Sequence, residues 1–288
     1  MAAGSLIVIV GETGSGKSAL ALELARKFDG EIVSADAWTV YRGFDVGTAK
    51  PSLKDRGEVS HHLIDIADPE QGFSAAVFKR QATAAITYII NKGKLPILVG
   101  GTGLYIDSVI YNYGFLPAGS TVEREQLDQL SIDELITIIK DRKIDVAGID
   151  LRNKRRLVRL IQSGGVRPEK AGLRPNTLII GIQTDKDQLE ARITTRVDQM
   201  LAGGLEGETK QLAEKYGWQT EPMKGIGYRE WQLYFEGNQN IEQTRQRIIT
   251  SSMQLAKKQR TWFKRNKSIH WINDLTQAMP LVKEFLNK

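Results

Sequence analysis

The residues whose types and spacing most directly imply chemistry lie near the amino terminus, in Gly11-Glu12-Thr13-Gly14-Ser15-Gly16-Lys17-Ser18. A Gly-x-x-x-x-Gly-Lys-Ser run is built to hold a diphosphate or triphosphate. Its glycines let successive backbone N–H groups converge on one anion. Lys17 adds a point charge, Ser18 a hydroxyl for a magnesium ion, and a following helix the positive end of its dipole. Two further residues have the chemistry to work on such a ligand. Asp36 follows the apolar run Ile32-Val33 and could take a proton, or could be a strand-end cap or an ion-pair partner. Thr102 follows Gly100-Gly101 and could donate to a phosphate oxygen, or could cap a helix.

These residues need elements to position them, and the patterning supplies candidates. Leu6–Val10 is five branched apolar residues in succession, the signature of a short buried strand, and an apolar-periodic helix begins after Lys17. Strand, glycine-rich turn and helix is the context that a phosphate loop requires. Residues 31–36 are expected to form a second strand that delivers Asp36 to the carboxyl edge of the sheet, where open α/β sheets bind ligands. Residues 37–51 are too rich in glycine and polar groups for a regular element and are expected to be a long functional loop. A short strand and turn at 61–65, a helix from a Ser74 cap to about residue 90, and a strand at 95–99 follow. From about residue 115 strands disappear, and helices are expected at 122–130, at 132–140 behind Ser131, and at 153–162. The sheet resumes at 177–182, with helices at 187–202, 206–216 and 241–264 and a last strand at 269–272. The pattern predicts an α/β fold: a P-loop NTPase-like core with a parallel sheet flanked by helices (residues 1–114 and 176–288), plus an inserted all-helical lobe (115–175).

The chain has 288 residues and no cysteine, which excludes disulfides and thiolate metal sites; this, with the absence of a long apolar run and of room for a signal peptide before the first strand, points to a cytoplasmic protein. The formal charge of +6 is unevenly placed. Residues 243–273 contain no acid while Arg245, Arg247, Lys257, Lys258, Arg260, Lys264, Arg265 and Lys267 accumulate. A second cluster includes Arg152, Lys154, Arg155, Arg156, Arg159 and Arg167. Either cluster alone is compatible with a solvated helix face. Together, on a chain with a phosphate loop, they point toward a nucleic-acid partner. His61-His62 lacks a third ligand at helical spacing, so a structural role is expected.

A motor or switch NTPase holds magnesium with a second acid at the end of an apolar strand. Here the candidate strand 95–99 runs into Gly-Gly-Thr instead.

The chain resembles the tRNA dimethylallyltransferases (tRNA isopentenyltransferases) over nearly its whole length. The likeness is carried by the phosphate loop, Ser34-Ala-Asp36, residues 40–51 (Val-Tyr-Arg-Gly-Phe-Asp-Val-Gly-Thr-Ala-Lys-Pro) and His61-His-Leu-Ile-Asp65. Further segments are Phe73–Phe78, Val99–Tyr105, Asn153-x-x-Arg156-x-x-Arg159, Arg192-Ile-x-x-Arg196-Val-Asp-x-Met200, Gly225–Glu230 and Ala256–Phe263. The resemblance implies that dimethylallyl diphosphate occupies the loop, so that diphosphate is the leaving group. The acceptor it implies is the exocyclic N6 amine of an adenosine beside the anticodon of a tRNA. That amine is a poor nucleophile because its lone pair is delocalised, so a base that takes its proton is useful. By resemblance Asp36 is this base, and Lys17, Thr102, Arg196 and a magnesium ion held by Ser18 stabilise the departing diphosphate. The same likeness assigns tRNA contacts to Asp36, Ala37, Trp38 and Thr39 around the acceptor base. It gives the anticodon stem to Arg156, Arg159, Lys257, Lys258 and Arg260. Apart from that likeness, a monomer with no membrane partner is expected.

The segment after Asp36 departs from the family pattern, with Ala37-Trp38 where serine and a small residue or methionine are usual. Trp38 is suited either to stack on a base or to fill an apolar gap. The tract 162–168 also differs. Two other activities remain open on the sequence: prenylation of free adenine nucleotides, and a small-molecule kinase with ATP in the loop.

Overall fold

The computed structural model describes residues 4–116 and 119–287. In chain order the elements are β1 (Leu6–Gly11), α1 (Lys17–Lys27), β2 (Gly30–Ser34), α2 (Leu53–Glu58), β3 (His61–His62), α3 (Ala75–Asn91), β4 (Leu95–Gly100) and α4 (Gly103–Ile110). Then come α5 (Thr121–Gln129), α6 (Ile132–Asp141), α7 (Lys154–Gln162), β5 (Thr177–Ile182), α8 (Lys186–Ala202) and α9 (Leu205–Tyr216). The chain ends with α10 (Gln232–Phe235), α11 (Ile241–Phe263), β6 (Ile269–Ile272) and α12 (Ala278–Leu286).

The strands form one parallel sheet in the order β3-β2-β4-β1-β5-β6. This is a P-loop NTPase-like fold. All six residues of β1 and of β4 are buried, which is why these strands read as unbroken apolar runs rather than alternating ones. One face of the sheet packs Ile7, Ile9, Ile97 and Ile180 against Leu20 and Leu24 of α1 and Val282 of α12. At roughly 25 cal/mol per Å² of apolar surface, each such side chain contributes about 1.5–3 kcal/mol. A separate apolar cluster joins the loop residues Val40, Tyr41 and Phe44 to Ile193 of α8, Leu212 of α9, Ile248 of α11 and the buried Tyr228 and Trp231. That cluster gives the loop at 37–51 a floor, although the loop has no regular structure of its own.

Two compact units are present: residues 1–110 with 173–288, and residues 111–172. The helical unit therefore begins four residues before the expected position and ends three before it. Within it, Ser131 and Glu134 form the capping box that starts α6, Asn153 caps α7, and Leu135, Ile139, Leu157 and Ile161 make its core. Other boundaries fall within a residue or two of expectation. β2 stops at Ser34, so Asp36 lies just past the strand rather than in it. The short α2 and α10 and the terminal α12 have no counterpart in the sequence-based expectations. No helix among the described residues is long and apolar enough to cross a membrane.

Candidate active site

The phosphate loop is shaped by two left-handed glycines, Gly14 (φ 80°) and Gly16 (φ 95°), the second being the N-cap of α1. L side chains avoid that region, which explains glycine at both positions. The Ser15 N–H donates to the Glu12 carbonyl at 3.1 Å, closing the turn, and Lys17 Nζ lies 3.0 Å from the same oxygen. Enclosure by the protein and the nearby Arg196 charge lower the Lys17 pKa to about 8, against the upward pull of Asp36 and Glu12.

Asp36 and Thr102 leave the sheet from neighbouring strands. The Ala35 N–H donates to Val99 O at 2.7 Å, and the Thr102 N–H returns a bond to Ala35 O at 3.3 Å. Asp36 Oδ1 accepts the Trp38 N–H at 2.8 Å and the Thr39 N–H at 3.4 Å, which fixes the carboxylate in an Asx turn. Thr102 Oγ1 accepts the Ala37 N–H at 3.3 Å, so its own proton remains available to a further acceptor.

Arg196 reaches the same place from α8. Its guanidinium donates to the Thr48 carbonyl at 3.4 Å; burial lowers its pKa, while Asp36 opposes the shift. One cavity is lined by Lys17, Ser18, Asp36, Thr48, Arg196 and Gln259. The cavity thus gathers the Lys17 and Arg196 cations, the Asp36 carboxylate and the Ser18 hydroxyl at the N-terminal end of α1, while Thr102 lies outside its lining. Such a site suits departure of a diphosphate next to a proton acceptor.

A family model described as IPP transferase matches residues 39–266. The chain belongs to this family. It is 37% identical to the tRNA dimethylallyltransferase of Staphylococcus epidermidis over 96% of its own length and 89% of the relative. Among solved structures, the full-length tRNA isopentenylpyrophosphate transferase of Bacillus halodurans superposes with a TM-score of 0.76 at 34% identity, covering 99% of this chain and 96% of that one. A eukaryotic dimethylallyltransferase described as acting on tRNA superposes with a TM-score of 0.82 at 28% identity, over 95% of this chain and 75% of that one. Curated relatives with this name are prenyl-transferring enzymes, and the IPP transferase match includes Thr102, Arg196 and α11.

Several residues expected to hold RNA have other work in this IPP transferase. Arg260 is not a free cation on the α11 surface. Its guanidinium grips the buried Glu12 carboxylate inside the phosphate loop, with Nη2 3.0 Å from Oε2 and Nε on Oε1. The Glu12 side chain is correspondingly spent on that ion pair. Arg245 pairs with Asp198 of α8. Thr39 is buried, with its hydroxyl 3.1 Å from that of Ser34. Trp38 packs against the apolar cluster of α8, α9 and α11, and its ring lies where a Cβ on Gly225 would come within 3.3 Å. Trp38 is half-buried there, so one part of its ring fills an apolar gap. Lys257, Lys258 and Arg156 are exposed, and Arg159 donates to Leu116 O at 2.6 Å within the helical unit. His62 bonds the buried Glu31 at 2.8 Å and His61 bonds Val59 O, a structural pair as expected.

Nothing in the local pattern signals what holds the loop carrying Thr48. The Glu208 carboxylate of α9 accepts N–H bonds from Asp45 (3.1 Å), Val46 (2.8 Å) and Gly47 (3.1 Å) and the Tyr228 hydroxyl at 2.6 Å. Burial and this carboxylate raise the Tyr228 pKa, keeping the phenol a donor. Lys50, 4% exposed at its side chain, ties the other end of the loop to Asp45 and Asp65. Glu208→Gln puts an amide N–H against these donors. It is expected to cut turnover about tenfold or more, since small displacements in a positioned site are costly. Steady-state rates on the folded variant check this, and a rate within twofold would detach the loop from catalysis.

Proposed function

We propose that this IPP transferase moves a dimethylallyl group from dimethylallyl diphosphate to N6 of an adenosine beside the anticodon of tRNA. The observation that carries this is the shared cavity: Asp36 lines the same space as Lys17, Ser18 and Arg196. A carboxylate facing elsewhere would leave only a generic phosphate binder. The diphosphate is bound by N–H groups of the loop other than those of Thr13 and Ser15, which donate to Gln259 and Glu12, and by the first turn of α1, with Lys17 and Arg196 countering its charge. As the allylic C–O bond breaks, negative charge grows on the leaving oxygen, which Lys17 and Arg196 in the cavity would counter and to which the Thr102 hydroxyl, at the adjoining end of β4 rather than in the cavity lining, would donate. Asp36 Oδ1 is held by backbone, while Oδ2 accepts no hydrogen bond among the described residues and takes the amine proton. The acceptor base must leave its stack, which costs a few kcal/mol and suits a target in a loop.

Magnesium fits this reading as an ion shared with the substrate. Among the described residues no cluster of three metal-ligating side chains exists, but the exposed Ser18 hydroxyl stands beside Lys17 at the start of α1. Ser18 would hold the ion together with diphosphate oxygens, where it neutralises leaving-group charge.

Mass analysis of adenosine from unmodified tRNA, after incubation with dimethylallyl diphosphate, tests the proposal. A prenylated adenosine beside the anticodon is the expected product. Prenylation of free AMP alone, or consumption of ATP with no donor transfer, would replace it with one of the other two activities. The exposed Lys257 and Lys258 support RNA contact by α11. Neutralising both is expected to weaken tRNA binding and reduce its salt dependence by at most about one unit of slope per lost phosphate contact. An unchanged slope, measured by titration at several salt concentrations, would return them to a solvated face.

A further inference from the structure

The last turns of α11 touch the active site from a direction that the chemistry above does not use. Gln259 Oε1 accepts the Thr13 N–H at 2.8 Å, and its Nε2 donates to the Gly101 carbonyl at 3.1 Å. Thr13 is inside the phosphate loop, and Gly101 immediately precedes Thr102. One side-chain amide therefore spans the two backbone segments that contact the leaving group in the proposed reaction. Neither segment bonds the other through the sheet at this point, because β1 and β4 have already ended their pairing at Val10 and Gly100.

The surroundings leave the amide little freedom. On one side Arg260 holds Glu12, the neighbour of Thr13. On the other, the Trp262 indole N–H donates to Asp107 Oδ2 of α4 at 3.0 Å, and α4 starts one residue after Thr102. A Cβ on Gly101 would lie 2.2 Å from Gln259 Nε2, and one on Gly103 2.3 Å from the Trp262 ring. Absence of side chains at 101 and 103 is what lets α11 approach. A half-buried amide whose oxygen accepts from one segment and whose nitrogen donates to the other is held in one orientation, so it transmits position rather than merely filling space.

We propose that Gln259 is a positioning residue of the transfer reaction: it sets the separation between the diphosphate cradle and the Thr102 hydroxyl. The inference rests on the donor site described under the proposed function. It adds a residue on α11, the helix whose outer side carries Lys257 and Lys258.

Three variants test it: Gln259→Ala, the isosteric Gln259→Glu, and Gly101→Ala. The last displaces the amide without changing it, at a position whose backbone is outside the left-handed region. The readouts are kcat, KM for dimethylallyl diphosphate, calorimetric binding of inorganic pyrophosphate, tRNA affinity and Tm. Gln259→Ala and Gly101→Ala are each expected to lower kcat about 10–100-fold, the range for a misplaced but intact catalytic group. Pyrophosphate binding should weaken several-fold, with tRNA affinity within twofold of the parent. Gln259→Glu keeps the volume and the Thr13 acceptor but loses the Gly101 bond, so it should not restore kcat. Full activity of the glutamate variant would overturn the proposal, as would losses that vanish well below each variant's Tm. If a variant fails to fold, the remaining two decide by the same criteria. A parent protein that binds no pyrophosphate would instead overturn the donor site itself, a failure distinct from unaltered variants of a binding-competent parent.

Discussion

Asp36→Ala is expected to lower turnover by about 10²–10⁴-fold, the range for losing a positioned general base, with tRNA affinity within about twofold. The two carboxylate oxygens have separable roles. Oδ1 closes an Asx turn on the N–H groups of Trp38 and Thr39, so alanine removes local structure along with the base. Asp36→Asn separates these effects, because its carbonyl oxygen can keep both bonds while the basic oxygen becomes an amide nitrogen. Both variants should fall by a similar factor if proton removal is the dominant contribution. Single-turnover rates with saturating tRNA and donor measure this directly. An asparagine variant at parental rate would leave Asp36 a structural role only, and proton transfer to solvent would take its place.

The second large effect concerns Lys17 and pH. In the ligand-free protein its pKa is lowered to about 8. Below that value the ammonium is present to meet the diphosphate. Above it, binding must take up a proton, so donor affinity is expected to fall by up to about tenfold per pH unit as pH rises beyond 8. Fold stability should move the other way. A lysine whose folded pKa lies below its unfolded value opposes folding while charged, and that opposition is relieved as pH rises from about 8 toward the unfolded pKa of about 10.4. Lys17→Met should weaken pyrophosphate binding at pH 7 and flatten its pH profile above 8, while removing the stability trend. Calorimetry across that range checks the first and thermal melts the second; a profile that is equally steep in the methionine variant would assign the titration to another group.

The candidates that line one cavity, Lys17, Ser18, Asp36 and Arg196, could be named before the fold was known, for identifiable reasons. The phosphate loop is contiguous, and its strand and helix flank it within a few residues, so spacing alone specifies it. Asp36 followed from a general property of open sheets, that strand ends converge on one crevice. Arg196 is different: nothing in the local pattern of α8 distinguishes it from Arg192, and only the family resemblance singled it out. Gln259 and Glu208 were out of reach because each acts on partners far along the chain. Gln259 lies 246 residues from Thr13, and Glu208 161 from Gly47. Charge counting misjudged Arg260 for the same reason, since its partner Glu12 is 248 residues away. A run of cations without neighbouring acids looks solvated in one dimension and need not be so in three. The helical unit's limits were displaced because Tyr111 and Gly114 join it through bonds to Ala171 and Glu169 rather than through a helix.

The close approach of β2 and β4 has a consequence for how such an enzyme can diversify. A methyl group on Gly100 would sit 2.1 Å from the Ala35 carbonyl, and two main-chain bonds, with the Ala37 N–H to Thr102 Oγ1 bond beside them, join the two exits that carry Asp36 and Thr102. The spacing of Asp36 and Thr102 therefore rests mainly on the main chain rather than on the side chains of the cavity walls. Walls such as Ile32, Ile64 and Ala21 carry no such constraint on the reacting groups. Preference for one hydrocarbon cargo over another can drift at those walls while the geometry of transfer stays inherited.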